Sequence, residues 1–250
     1  MADVRTFEPG NYRFIKGAFM YSAGVAALLG HRVERVRFSE LLPVDAGFRH
    51  AAEIIEKAGR PKTTFAACEL RSPAPFTETG FTEFNKIYVE TLKAWGIIGA
   101  DGTNPVARSN VCPEISPPKE PSFYAFSYVV KDDQAKPSFV IAGSGEAEEG
   151  RGGYSERSIA PGDTSTSGMR QKARYVLGEM ERRMGALGFS WKDTTAAQAY
   201  TVFDIHPFLG EELAARGAIP GGLTWHFSRP PVVGLDYEMD CRSVHFERVV

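Results

Sequence analysis

One order of elements occurs twice in this chain, and that repeat limits what it can fold into more than any single motif does. Phe48, Ala51, Ala52, Ile54, Ile55 and Ala58 make an apolar stripe at helical spacing. Asp45 is placed as its N-cap, and Gly59 stands where a left-handed C-cap belongs. Thr63 and Thr64 open a strand that runs to Leu70. A second helix carries Phe81, Phe84, Tyr88, Leu92 and Trp95 on one face and stops near Gly96, before strands at 104–112 and 123–130. About 130 residues later the order returns. Met169, Ala173, Val176, Leu177, Met180, Met184 and Leu187 stripe a helix closed by Gly188. Thr194 and Thr195 then open a strand to Phe203, followed by a short helix from Pro207 to about Arg216 and strands at 223–228 and 235–246. Strands at 18–29 and 32–38, read as a hairpin, precede the first set, and a strand at 138–143 precedes the second.

The repeat predicts an α+β chain of two tandem β-β-α-β-α-β-β units, with helices packed on one face of each sheet. Polar residues 131–137, ending in proline, are the expected boundary, giving units at 1–131 and 137–250. Such a unit leaves the other face of its sheet uncovered, which predicts close association of units within the chain and between chains.

Composition narrows the function. A net charge of -2, a pI near 6.2 and no long run of one sign leave no footprint for a phosphate backbone, so nucleic acid is not an expected partner. No basic start followed by an apolar run and no window of 18 apolar residues is present, so neither a signal peptide nor a membrane span is expected, and the location expected by default is cytoplasmic. Cys68, Cys112 and Cys241 are odd in number and far apart, which suits buried thiols better than disulfides. The five histidines form no ligand pair, and no phosphate-binding loop is present, so neither a metal nor an organic cofactor is expected. The glycine-rich stretch 145–168, with Glu146, Glu148, Glu149, Tyr154, Glu156 and Arg157, reads either as a lid beside a site or as a solvated loop.

Arg108 sits at the mouth of a strand among small and apolar neighbours, in Asn104-Pro-Val-Ala-Arg-Ser-Asn-Val-Cys112. Its planar fork suits a carboxylate, although the spacing fits an ordinary surface arginine as well. In the last strand Leu235, Tyr237, Met239 and Cys241 alternate with Asp236, Glu238, Asp240 and Arg242, a half-buried pattern whose polar face is either wet or functional. Cys112 follows Arg108 on its strand, as a substrate contact or as an inert buried thiol.

The helix-Gly-Thr-Thr-strand order, Ala199-Tyr-Thr-Val-Phe-Asp204, the Phe84-Asn85-x-x-Tyr88 helix and Pro105-x-x-Arg108-Ser109 before a proline-containing turn resemble the RidA (YjgF) superfamily over nearly the whole chain. The resemblance implies chorismate-mutase-like units, a homo-oligomer that is most often a trimer with sites in clefts between units, and hydrolysis of enamines or imines to ketones and ammonia. Position by position it implies that Arg108 holds a substrate carboxylate with Ser109 and Cys112 beside it, that Tyr12 and Asn85 contact substrate, and that Glu238 is the catalytic carboxylate. Where the second half should have its arginine stands Pro220-Gly-Gly222, and where the first half should have its glutamate stands the apolar run around Phe123 and Tyr124. A composite site is therefore expected, with Arg108 from one half and Glu238 from the other. The doubled length and aromatic content resemble deaminases of aminomuconate type, implying a small unsaturated amino acid as substrate. A carboxylate-binding protein without turnover, a chorismate-type lyase or hydrolase, and the RNA cleavage associated with some members are the other readings the resemblance allows.

Overall fold

Both apolar stripes become helices, and both end as their glycines require. The computed structural model describes residues 2–17, 21–148 and 153–250, with the backbone alone for Ser155. Helices α1 (Val44–Lys57) and α4 (Thr166–Ala186) close in the same way. Gly59 and Gly188 have φ of +69° and +83°, and the next residue's N–H returns to the helix, Arg60 to the Ile55 carbonyl and Phe189 to that of Met184. At their starts, Thr77 caps α2 (Glu78–Ala94) and Ser165 caps α4, each accepting from the N–H of the glycine three residues on. Asp45, expected as the cap of α1, lies inside its first turn, because Pro43 with its restricted φ takes the cap position. Its charge still suits the positive end of the helix.

Two sheets take up the strands. One runs in the order β1 (Val4–Phe7), β2 (Tyr12–Ile15), β3 (Gly24–Ala27), β8 (Phe139–Gly145), β12 (Glu238–Ser243), β9 (Ala196–Tyr200), β10 (Leu223–His226). The other runs β11 (Ser228–Arg229), β6 (Ala107–Pro113), β5 (Phe65–Arg71), β7 (Ser122–Lys131), β4 (His31–Pro43), β13 (Phe246–Val249). Within them the duplication is explicit. The strands β6-β5-β7-β4 and β10-β9-β12-β8 share one order and one pattern, parallel in the first pair and antiparallel in the other two.

The chain ends do not keep to their halves. The stretch expected as a strand at 18–29 and paired with 32–38 yields β3, residues 18–20 lying outside those described, and β3 pairs with β2 and β8 rather than with β4. Gly24 eases that approach: a Cβ there would come within 2.9 Å of Ile141 Cδ1 and 3.2 Å of the Val140 carbonyl oxygen, so a larger residue would make its neighbours on β8 shift. In return β13, from the end of the chain, pairs in parallel with β4. Units at 1–131 and 137–250 thus exchange strands in three places, β1–β3 and β13 at the termini and β11, which pairs with β6.

Each sheet has its helices on one side. Phe48, Ile55, Phe65, Tyr88, Leu92 and Phe126 form the core under α1 and α2, while Met169, Val176, Met180, Phe139 and Met239 belong to the core under α4. Between the sheets lies a third layer of mostly small residues, Ala66, Ala67, Ala107, Ala142, Val25 and Val129 among them. The sheet faces expected to associate within the chain and between chains cover one another within this one. Nothing stands within 4 Å of a Cβ at Gly59 or Gly188, so alanine at either meets backbone strain alone. Gly59→Ala and Gly188→Ala should each lower stability by about 1–2 kcal/mol, read from urea midpoints at unchanged slope.

Candidate active site

A cavity of about 420 Å³ opens where β6 of one sheet approaches β8 and β12 of the other, and Arg108 and Glu238 both line it. Arg108 leaves β6 toward α2. Its Nη1 donates to the Asn85 side-chain oxygen, and its guanidinium lies 4.9–5.7 Å from the ring centres of Tyr21, Phe81, Phe84 and Tyr88. The aromatic faces favour the cation, and the acceptor that fixes it is a neutral amide, so its charge is left for an anion in the cavity.

Glu238 begins β12, opposite Gly145 and Tyr200. It is 4% exposed. Burial raises its pKa well above the usual carboxylate range, the charges of Asp240 and Glu146 add to that, and Arg108 and Arg183 only partly oppose it. Its surroundings thus favour the protonated form over the carboxylate. A Cβ on Gly143 would fall 2.1 Å from its Oε1, so the side chain occupies space that only a glycine on β8 leaves.

The stretch 145–168 takes the form of a tethered flap, apart from residues 149–152, Glu149 included, which lie outside those described. Glu146 is fully buried and accepts from the backbone N–H groups of Asp236 and Tyr237 at 2.5 and 3.0 Å. Lys172, on α4, pairs with Asp236 and stands 3.8 Å from Glu146. Desolvation pushes Glu146 up to about 7 against the pull of these N–H groups and of Lys172. Beyond it Ala147 bridges to Ser158, and α3 (Tyr154–Arg157) sets Tyr154 and Arg157 on the cavity wall.

The other expected site residues are distributed differently. Asn85 is buried and acts through Arg108 rather than on the cavity wall. Tyr12 is a core residue: it has no exposed surface and its hydroxyl donates to the Phe65 carbonyl at 3.1 Å, because β2 runs through the layer between the sheets. Ser109 points to the opposite face from Arg108, as strand alternation requires, and donates to Asp240 Oδ2 at 2.6 Å. Cys112 lies beyond the cavity wall, and burial, aided by Glu238, pushes its thiol up to about 12, which leaves it inert. The polar face of β12 is not wet, since Glu238, Asp240 and Arg242 are all buried. Residues that sequence reasoning missed are Asn110, Gly143 and Arg183. Asn110 was within reach, being two positions past Arg108 on a strand. Arg183 is presented by α4, with Nη1 donating to the Ala142 carbonyl at 3.2 Å. Among the described residues no three of His, Cys, Asp and Glu converge as metal ligands.

The family model described as 2-aminomuconate deaminase CnbZ matches residues 4–248. A 2-amino-5-chloromuconate deaminase of Comamonas testosteroni is 48% identical over 252 residues, covering all of both chains. Among solved structures, Mycobacterium tuberculosis Rv2704, of the YjgF/YER057c/UK114 family, is 18% identical over 46% of this chain and 82% of its own, with a TM-score of 0.31. A Thermotoga maritima chain provisionally described as an endoribonuclease is 16% identical over 43% of this chain and 78% of its own, with a TM-score of 0.32. Both structural likenesses are too slight to bear on function.

Glu238 is a measurable feature of the empty cavity. Because its folded pKa lies above that of an unfolded glutamate, the stability due to its neutral form is complete below about pH 4.5 and is lost as pH rises toward the folded value. Glu238→Gln, which stays neutral, should therefore gain on the parent in urea midpoint as pH rises from about 5 to 9. A difference independent of pH would contradict the neutral assignment.

Proposed function

Because the chain belongs to the 2-aminomuconate deaminase CnbZ family, we propose that it hydrolyses a 2-aminomuconate-like enamine acid to the oxo acid and ammonia, with Arg108 and Glu238 as its working pair. The observation that carries this reading is that a buried arginine fixed by a neutral amide and a buried carboxyl whose pKa burial raises, from opposite halves of the chain, line one cavity. Arg108 takes the carboxylate next to the amino-bearing carbon in its fork and, through that carboxylate, sets the orientation of the C–N bond. Glu238 starts protonated and so serves first as an acid: it delivers a proton to the carbon chain as the enamine becomes the imine. As a carboxylate beside Arg108 and Arg183 it next takes a proton from water while the oxygen adds to C=N. It returns that proton to nitrogen, then takes the hydroxyl proton as the carbinolamine collapses to the oxo acid, and ammonia leaves. One water is consumed and Glu238 ends as it began.

The same reading extends to assembly and place. We infer that the chain works as a homo-oligomer, a trimer as the resemblance implies, in the cytoplasm. Exposed Phe246 and Val249 on the edge strand β13, and exposed Ile115 and Phe227 where β6 and β11 meet, support an assembly surface, and among the described residues no helix is long and apolar enough to cross a membrane. Light scattering should give three times the 27.4 kDa chain mass. A monodisperse monomer would contradict it.

Ammonia release from 2-aminomuconate is the direct test. Losing a desolvated charge contact costs about 2–5 kcal/mol, so Arg108→Ala should lower kcat/KM by roughly 30-fold to several thousand-fold. Arg108→Lys should recover little of this, since an ammonium lacks the fork. Glu238→Gln should lower kcat by about 10²–10⁴ with KM nearly unchanged. Near-parental turnover in both single variants would overturn the assignment.

A further inference from the structure

Asn110 has one amide end that the fold uses and one that it does not. It stands two residues past Arg108 on β6, so the two side chains leave the same face of the strand, roughly 6.5–7 Å apart at their Cα atoms. Both line the cavity. Asn110 is 3% exposed, and its Oδ1 accepts from Ser72 Oγ at 2.9 Å. Its Nδ2 is buried with no hydrogen-bond partner among the described residues. An unmet buried N–H costs stability, and such groups in a cavity wall point to an acceptor that arrives with a ligand.

The rest of the wall says what kind of acceptor. Phe81, Val232 and Leu235 form one apolar cluster there, a surface for an unsaturated carbon chain rather than for a sugar or phosphate. The remaining charged lining is three cations, Lys16, Arg157 and Arg183, against two carboxyl groups, Glu148 and Glu238, so the cavity favours an anion beyond the one that Arg108 accepts.

We propose that Asn110 is a specificity-determining residue that donates from Nδ2 to the second carboxylate of a dicarboxylic enamine, while Arg108 holds the first. This rests on the deaminase reading above and narrows it: the site selects chains with a carboxylate at each end. A monocarboxylic enamine leaves Nδ2 unmet, and a site whose buried donor goes unmatched discriminates against the ligand that fails to match it.

The test compares kcat/KM for a dicarboxylic enamine, 2-aminomuconate, with that for a monocarboxylic one, 2-aminoacrylate generated in place. The preference for the dicarboxylate should fall about 10- to 100-fold in Asn110→Leu, which removes the donor at similar volume, and further in Asn110→Asp, which opposes the carboxylate with like charge. Asn110→Ser replaces Asn110→Leu if the latter does not melt cooperatively. A preference within twofold of the parent in every variant that folds, or equal loss on both substrates, overturns the proposal. If the parent releases ammonia from neither substrate, the deaminase reading fails while the inference remains decidable by calorimetry with unreactive muconate and sorbate. Weakened muconate binding at unchanged sorbate binding in the variant supports Asn110, and equal effects on the two overturn it.

Discussion

Two sheet faces that neither half can cover alone meet in the middle of this molecule, and the polar part of that contact is what the rest depends on. Arg35 grips Glu69 with two hydrogen bonds of 2.6 and 2.9 Å, and Arg242 and Arg35 both reach Glu247. Burial alone would drive Glu69 upward, but Arg35 outweighs it, with Arg242 and Arg71 assisting, and the carboxylate lies well below its ordinary range. Next to it Asp240 accepts from Ser109, Gln198 and Tyr200, at 2.6 to 2.8 Å. Burial and the Glu69 charge shift it the other way, upward. These contacts join the two halves: Ser109 and Glu69 come from one, Gln198, Tyr200 and Asp240 from the other. Breaking one partner of such a buried pair typically costs about 3–5 kcal/mol, far more than the pair adds over an apolar filling. The network therefore fixes how the sheets register more than it adds stability.

That register sets the cavity. β6 carries Ser109 into the network and, one residue earlier, Arg108 to the opposite face. β12 carries Asp240 into the same network and Glu238 two residues earlier. Anchoring Ser109 to Asp240 thus fixes the height at which Arg108 and Glu238 come to the wall. Glu146, capping the N–H groups of Asp236 and Tyr237, fixes the strand from its other end.

The repeat was legible because it is local: apolar stripes, glycines at positive φ and Thr-Thr strand starts act within a few residues of themselves. The crossings of β3 and β13 were hidden because a four-residue strand carries no mark of which sheet will accept it. The partner that β3 meets, Gly24 opposite Ile141, lies more than a hundred residues away in sequence. Arg108 was legible from its neighbours, and Glu238 from the alternation of β12 with the family pattern. Tyr12 went astray because an aromatic after a glycine looks the same in a core as in a cleft. Ser109 and Asn110 were decided by alternation: on a strand carrying Arg108 into a cavity, the next residue faces away and the one after returns. Cys112 shares that face but lies past the end of the cavity.

Topology also explains why, among the described residues, the pairing of Arg108 with Glu238 in one cavity has no counterpart on the matching strands of the opposite halves. In the shared strand order β10 corresponds to β6 and β7 to β12, so a second arginine and carboxylate would be sought on β10 and β7. β10 (Leu223–His226) carries no arginine and β7 (Ser122–Lys131) no acidic residue, and the 220–222 stretch expected at the arginine position lies just ahead of β10. His226 stacks on Tyr200 at 5.0 Å and meets Tyr124 edge-on at 6.2 Å, while Arg71 lies 4.2 Å from the Tyr124 ring centre. Burial lowers His226 to about 4 with help from Arg71, so it is a neutral ring hydrogen-bonded to Gln198 at 3.0 Å. Aromatic rings and a guanidinium stacked on them pack between β10 and β7, and that packing ties down Gln198 and Tyr200, two of the three donors to Asp240. It thus helps to hold the strand that carries Glu238 in its working position.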